Sequence, residues 1–392
     1  MQKIINSKFL QILPFIFFLG PLFLELYFIF LLLINIKNIN IKSLEIDKIF
    51  IFIIFFFLSI LITSIVTEHH ISTLKGISYI RFFLYIVLLS QIIDLSEKNL
   101  EKFCISAAVV CLILVLFNLF QVITDYGTDD LRTTIPIRNE PISGSFISYF
   151  SLFIFSFIVW KYNNKKIKLF RTILLITILL FGCIVSGERI SSITMILVTF
   201  TFLFLKSKKL LLIVLITAIT TSLIISSFFK FERSEFIFKR FSSFVMIVRN
   251  FDDSIWADHF IAAKKTWKNE IILGNGVKSF RIECKNYNKE IKYPCASHPH
   301  NIYLEILSEI GLLGLVTFII MFSAILTTNI KTIFYNKQYN SLHNYILITI
   351  TLYFLINYFP IKSFGSFFNN YNSFGFWLLV FLSLNIKKKI NE

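Results

Sequence analysis

The chain has 392 residues, of which 56% are hydrophobic and 17% aromatic, and it carries a formal charge of +16. Repeated apolar runs, each about long enough to cross a hydrocarbon core of roughly 30 Å, exclude a soluble domain and read as an all-α polytopic membrane protein. In such a chain the positive balance is sorted first by side of the membrane, so it implies no nucleic-acid partner.

The first apolar run, Phe9 to Ile34, contains Pro14, Gly20, Pro21 and Glu25. Gly-Pro breaks helices and a lone carboxylate is costly in lipid, so this run is expected to fold as two short segments in a hairpin. Lys3 and Lys8 resemble a signal-peptide start, but no small-x-small cleavage site follows, and the segment is expected to be retained. Later spans are predicted near 48–66, 77–93, 102–124, 142–160, 171–186, 190–205, 210–228, 300–327, 342–358 and 371–386, about twelve in all. Loops on one side of this layout hold 20 Lys and Arg, including the runs Lys161 to Arg171 and Lys387 to Lys389. Short loops on the other side hold five, namely Lys75, Arg132, Arg138, Arg189 and Lys362. Cytoplasmic short loops are the Lys/Arg-rich ones, so both termini are expected in the cytoplasm. The chain then divides into membrane helices at 1–228, a large outward loop at 229–299 and further membrane helices at 300–392.

Within the outward loop, apolar residues at 256, 260, 263 and 267 predict a helix over Trp256 to Asn269. Gly274-Asn275-Gly276 then reads as a structural turn, because no strand-turn-helix context makes it a phosphate fingerprint. An extended piece is expected from Phe280. Cys284 and Cys295 are spaced as a disulfide can close in an oxidising compartment. The competing reading joins them with His298 and His300 as a Cys2His2 zinc set, although the spacing is unlike that of zinc sites. The pairs Asp129-Asp130 and Asp252-Asp253 lack a spaced Asp-x-Asp form and read as solvated loop carboxylates. Cys104, Cys111 and Cys183 fall within spans and read as small core residues.

The chemistry concentrates in Ser297-His298-Pro299-His300-Asn301-Ile302-Tyr303-Leu304-Glu305. His300 stands at the mouth of a span, where a neutral imidazole with an ordinary pKa of roughly 6.5 can take a proton from a sugar hydroxyl. A helix-capping or interfacial histidine fits the same residues. Asn301, Glu305 and Ser308 share one helical face that would point into a cleft or a partner helix. Gly311 and Gly314 read as close-packing glycines. Arg189, in the short turn Ser186-Gly187-Glu188-Arg189, can offer its fork to a lipid-linked phosphate, or can anchor the interface with its charge met by Glu188. Arg81, near an outer span end, reads as a further cation or as a side chain snorkelling to lipid headgroups. Arg132, Arg138 and Glu140, followed by Ser143-Gly144-Ser145, add a second charged patch on the same side.

The run Gly274-Asn275-Gly276, Phe280-Arg281, Cys284, then Cys295 through Glu305 and Glu309 through Gly314 resembles the signature of the O-antigen ligase and O-antigen polymerase superfamily. Ser186 to Arg189 and Glu140 to Ser145 also resemble motifs of a subset of it. The ligase-like signature region covers about 186–327; before it, only hydropathy matches. The resemblance implies a metal-independent, cofactor-free, inverting glycosyltransferase in the bacterial inner membrane with its large loop periplasmic. It would move a polyprenyl-diphosphate-linked glycan to lipid A-core or, as a polymerase, to a growing chain. Carried over, His300 would activate the acceptor hydroxyl and Arg189 would hold the donor diphosphate. Arg281, His298, Asn301 and Glu305 would line the substrate site, with Arg81, Arg138 and Glu140 as further contacts. Many members also carry an arginine early in the loop helix. Ile255-Trp256-Ala257-Asp258-His259 lacks it, leaving Arg249, His259 or Lys264 as substitutes. Ligase is the first reading and polymerase the second. A transporter or flippase fits less well, because intramembrane charges are sparse and no internal repeat is evident.

Overall fold

The computed structural model describes residues 2–38, 48–124, 132–136, 140–228, 242, 245–246, 249–287, 292–335 and 340–391. Among these residues the fold is all helical, the one β-type pairing being an isolated antiparallel bridge between Ile135 and Glu140. Asp129, Asp130 and Arg138 lie outside the described residues.

The N-terminal run breaks where Gly-Pro predicts. Helix α1 (Gln2–Leu19) stops before Gly20, whose φ of 113° turns the chain, and Pro21 opens α2 (Pro21–Asn35) at the position where its missing N–H costs nothing. The two helices pack as a hairpin, Phe9 stacking on Tyr27 at 5.1 Å between ring centroids. Then follow α3 (Lys48–Val66), α4 (His70–Tyr79), α5 (Arg81–Ile92), α6 (Glu97–Thr124), α7 (Ser143–Asn163), α8 (Leu169–Val185), α9 (Arg189–Lys206) and α10 (Lys208–Phe228). After the loop helix α11 (Ile255–Asn269), the chain ends with α12 (Ile302–Tyr335), α13 (Leu342–Asn357) and α14 (Asn370–Asn391).

Every predicted apolar segment falls on a helix. Six helical stretches are long and apolar enough to cross a membrane, counting α4 and α5 together as one stretch over His70–Ile92. The chain is a multi-pass membrane protein. Helix α7 is the hub, packed between α6, α8, α9 and α13 and burying Phe146, Phe150, Phe153 and Phe155. Outward faces such as Leu22, Leu26 and Leu33 on α2 and Leu312, Val316 and Ile319 on α12 stay exposed, as a hydrocarbon solvent requires.

Two local expectations change. Phe280 opens a one-turn helix, Phe280–Glu283, in place of an extended piece. The predicted span 300–327 is interrupted at Gly311, whose φ of 69° and ψ of -169° are not helical. Gly311 is a close-packing glycine as expected, against the backbone of Ile272 and Gly274, but it also breaks the helix. The Gly-Asn-Gly turn clasps that break: the Asn275 amide donates to Ser308 O at 3.2 Å and the Gly276 amide to Glu309 O at 2.7 Å. Past the break, the freed amides of Leu312 and Leu313 donate to Ile271 O and Ile272 O at 3.0 and 3.1 Å. Backbone groups left orphaned by a helix break are costly unless paired, so the turn and the break form one unit that joins the outward loop to the bundle.

Candidate functional site

One end of the bundle holds a cavity of about 660 Å³, lined by the first turns of α7 and α9, the approach to α12, the end of α13 and the loop into α14. His300, His298, Arg189, Arg281 and Glu140, all singled out in the sequence, line it. So do Arg132, Lys278 and Lys362. The wall thus carries five cationic side chains, Arg132, Arg189, Lys278, Arg281 and Lys362, and two carboxylates, Glu140 and Glu188.

The His300 side is built by its own sequence run. His300 sits in the left-handed region at φ 56°, which non-glycine residues seldom occupy and which clusters at functional sites. Its carbonyl accepts from the Phe364 amide at 2.8 Å. Asn301 then does two jobs: Oδ1 accepts from the Leu304 amide at 3.1 Å, as a helix N-cap does, and Nδ2 donates to Pro360 O at 2.6 Å. Tyr303 Oη donates to Tyr358 O at 2.7 Å, and the Glu305 carboxylate accepts from Ser366 Oγ at 2.5 Å and the Phe367 amide at 2.7 Å. Asn301 and Glu305, read from sequence as cleft residues, are instead buried clamps that fasten the α13–α14 loop against His300. That loop carries Lys362 into the cavity, where Nζ donates to Asn357 Oδ1 at 2.6 Å.

The three histidines of this side form one cluster. The His300 ring lies 4.2 Å from that of His298 and 5.4 Å from that of His259. His259 is buried behind them, its Nε2 3.2 Å from Pro294 O, and does not line the cavity. Burial, followed by the charge of His259, holds the His300 imidazole down to about 4. Burial, then His300, His259 and Arg281, holds that of His298 down to about 3. Both rings are neutral at pH 7, and His300 titrates below the ordinary imidazole value read from sequence. Cys284 and Cys295 form a disulfide with Cα atoms 5.9 Å apart. The bond joins the one-turn helix bearing Arg281 to the strand of chain bearing His298, so the two cysteines are occupied by each other.

Another stretch of the lining is built from the two short serine-glycine motifs. Glu188 accepts from the Gly144 amide at 2.6 Å, the Ser145 amide at 3.1 Å, Ser145 Oγ at 2.5 Å and Ser191 Oγ at 3.1 Å. A carboxylate here caps the amides and positive dipole of the α7 N-terminus. Thr133 N donates to Ser186 O at 3.0 Å and pins the segment carrying Arg132 to the same turn. Glu188 thus locks α7 to the turn that presents Arg189.

Three candidates lie elsewhere. Arg81 donates from Nε to Glu25 at 2.8 Å and from a terminal nitrogen to Asn370 Oδ1 at 2.9 Å. It answers the partly buried Glu25, which also accepts from Tyr85 Oη at 2.6 Å. Arg249 and Lys264 are exposed and do not line the cavity. Lys278 and Lys362 were missed because each is a lone lysine in a polar stretch; only the spacing of Lys278, two residues beyond the Gly-Asn-Gly turn, pointed to a fixed position.

Residues 173–319 match the family described as O-Antigen ligase. This stretch, rather more than a third of the chain, carries the similarity to the O-antigen ligase superfamily. A protein of Rickettsia felis named a polysaccharide ligase is 34% identical over 145 residues, which cover 35% of this chain and 32% of that protein. One of Rickettsia conorii, also named a polysaccharide ligase, is 32% identical over 149 residues, again 35% of this chain and 32% of the relative. The match therefore spans about a third of the length of these curated relatives. The ligase-family segment supplies Arg189, Lys278, Arg281, His298 and His300, whereas Arg132, Glu140 and Lys362 come to the cavity from outside it.

Proposed function

We propose that this chain is an O-antigen ligase-type glycosyltransferase, moving a glycan from a polyprenyl diphosphate to a hydroxyl of lipid A-core on the periplasmic side of the bacterial inner membrane. The observation that carries this reading is one cavity lined both by a neutral imidazole and by Arg189 and Arg132. His300 accepts the proton of the acceptor hydroxyl while the acceptor oxygen attacks the anomeric carbon. The bond from that carbon to the diphosphate oxygen breaks on the opposite face, which inverts the centre. Charge developing on the leaving diphosphate meets fixed cations in a site shielded from water, where such groups act most strongly. These cations take the part a divalent metal plays in nucleotide-dependent transferases. The description of the family and the names of both relatives favour ligase over polymerase.

Replacing Arg189 with lysine keeps the charge and removes the planar fork, so kcat/KM for a lipid-diphosphate donor should fall about ten-fold or more. Unchanged donor use, measured on the purified variant in liposomes, would count against the phosphate role.

The pH profile offers an independent check. A base must be neutral to act, and kcat/KM reports the free enzyme. Because His300 is held down to about 4, activity should persist from pH 7 to about pH 5 and decline as pH approaches 4. An acid limb centred near the ordinary imidazole value of roughly 6.5 would show that His300 is not held this way.

A further inference from the structure

We propose that the cavity wall around His300 is a second anion-binding subsite, which selects an acceptor carrying a phosphate or carboxylate close to the reacting hydroxyl. The proposal rests on the glycan-transfer reading and adds the chemical class of the acceptor to it.

Three cations, Lys278, Arg281 and Lys362, line the cavity on the side that also presents His298 and His300. Among the described residues none of the three forms an ion pair within 4.0 Å. The Lys362 ammonium has one neutral partner, Asn357. Gathering like charges in a half-buried wall with no carboxylate in contact is unfavourable, so an anion arriving there would be bound strongly. Burial, with repulsion from Arg281 and Lys75, holds Lys278 below the ordinary lysine range against the opposing pull of Glu309 and Glu305, and burial holds Lys362 down to about 7.

These groups are also held in place by fixed structure. Lys278 occupies the left-handed region at φ 64°, and its amide donates to Glu309 Oε2 at 2.6 Å. Arg281 is tied to the histidine run through the Cys284–Cys295 bond three residues on. Lys362 rides on the loop clamped by His300, Asn301, Tyr303 and Glu305. The stretch bearing Arg189 and Arg132 has separate anchors, at Glu188 and Thr133, and on the glycan-transfer reading those arginines serve the donor diphosphate. The cations beside the base are therefore left for a charge on the molecule whose hydroxyl the base meets.

The test measures binding and needs no turnover. The purified full chain in nanodiscs is titrated with glucose, glucose 6-phosphate and glucuronate, and the same is done for Lys278→Asn, Lys362→Gln, Lys278→Arg and the surface control Lys264→Gln. Asparagine tolerates the left-handed conformation, so the first variant removes charge without adding strain. The proposal expects one or both anionic sugars to bind about ten-fold or more tightly than glucose, since each charge-assisted contact is worth 1.4 kcal/mol or more. That preference should fall about ten-fold in Lys278→Asn or Lys362→Gln and survive in Lys278→Arg and Lys264→Gln. Which sugar anion wins separates phosphate from carboxylate. Equal binding of all three sugars, or a preference that both charge-removing variants retain, overturns the subsite. A chain that transfers glycan without the preference loses the subsite alone, whereas one that shows the preference and transfers nothing refutes the functional reading and with it the acceptor role.

Discussion

The His300→Ala variant is expected to lose glycan transfer by about 10²- to 10⁴-fold, the range over which a positioned base contributes, while inserting normally into the membrane. The ring is neutral at pH 7, lines the cavity and stands on a backbone whose carbonyl is held by the Phe364 amide. Alanine at φ 56° is strained, so part of any loss could come from the backbone. The His300→Asn variant separates the two causes, because asparagine accepts the left-handed conformation but is no base. Both variants should be equally inactive in a liposome transfer assay, with melting temperatures near wild type for Asn. Transfer by either variant within about ten-fold of wild type, far less than a base supplies, would remove His300 from the chemistry.

The largest effect on stability is expected from Gly311→Ala. At φ 69° and ψ -169° the residue lies in a region essentially reserved for glycine, and an added Cβ would fall 2.2 Å from Ile272 O, a backbone atom that cannot rotate away. The cost should be about 3 kcal/mol or more, read as a loss of folded yield and a lowered thermal midpoint in detergent. Gly314→Ala serves as the contrast, since its added Cβ would meet the side chain of Ile310, which can shift. If the two variants melt alike, the clasp between the Gly-Asn-Gly turn and the helix break does not hold the outward loop as described.

The main features that the sequence made legible follow from strong local rules. Gly20-Pro21 forced a break because proline cannot continue a helix behind a glycine, and the hairpin formed there. The 256–269 periodicity found α11 to within a residue. His300 and Arg189 could be picked out because polar residues at the ends of apolar segments are few. The break at Gly311 was hidden, since hydropathy runs without interruption from Ile310 into Leu312 and the cause, docking of residues 271–276, is remote in sequence.

Asn301 and Glu305 illustrate a different limit. Their i, i+4 spacing correctly put them on one buried face, but what that face meets is the loop around residues 358–367, and no local pattern links the two. The same loop hid Lys362, whose place in the cavity depends entirely on those clamps. Arg81 was read as a phosphate contact or headgroup anchor for want of a visible partner; Glu25, far away in the chain, is that partner. The lowered titration of His300 likewise depends on burial and on His259, which only the fold brings beside it.

The most direct test of the central claim is the state of the lipid-linked glycan in a strain from which this chain has been deleted. Full-length polysaccharide retained on its lipid carrier, with unmodified lipid A-core, is the predicted result. Lipid A-core capped by a single repeat unit would contradict it, showing that transfer to core proceeds without this chain and that what was lost is chain extension.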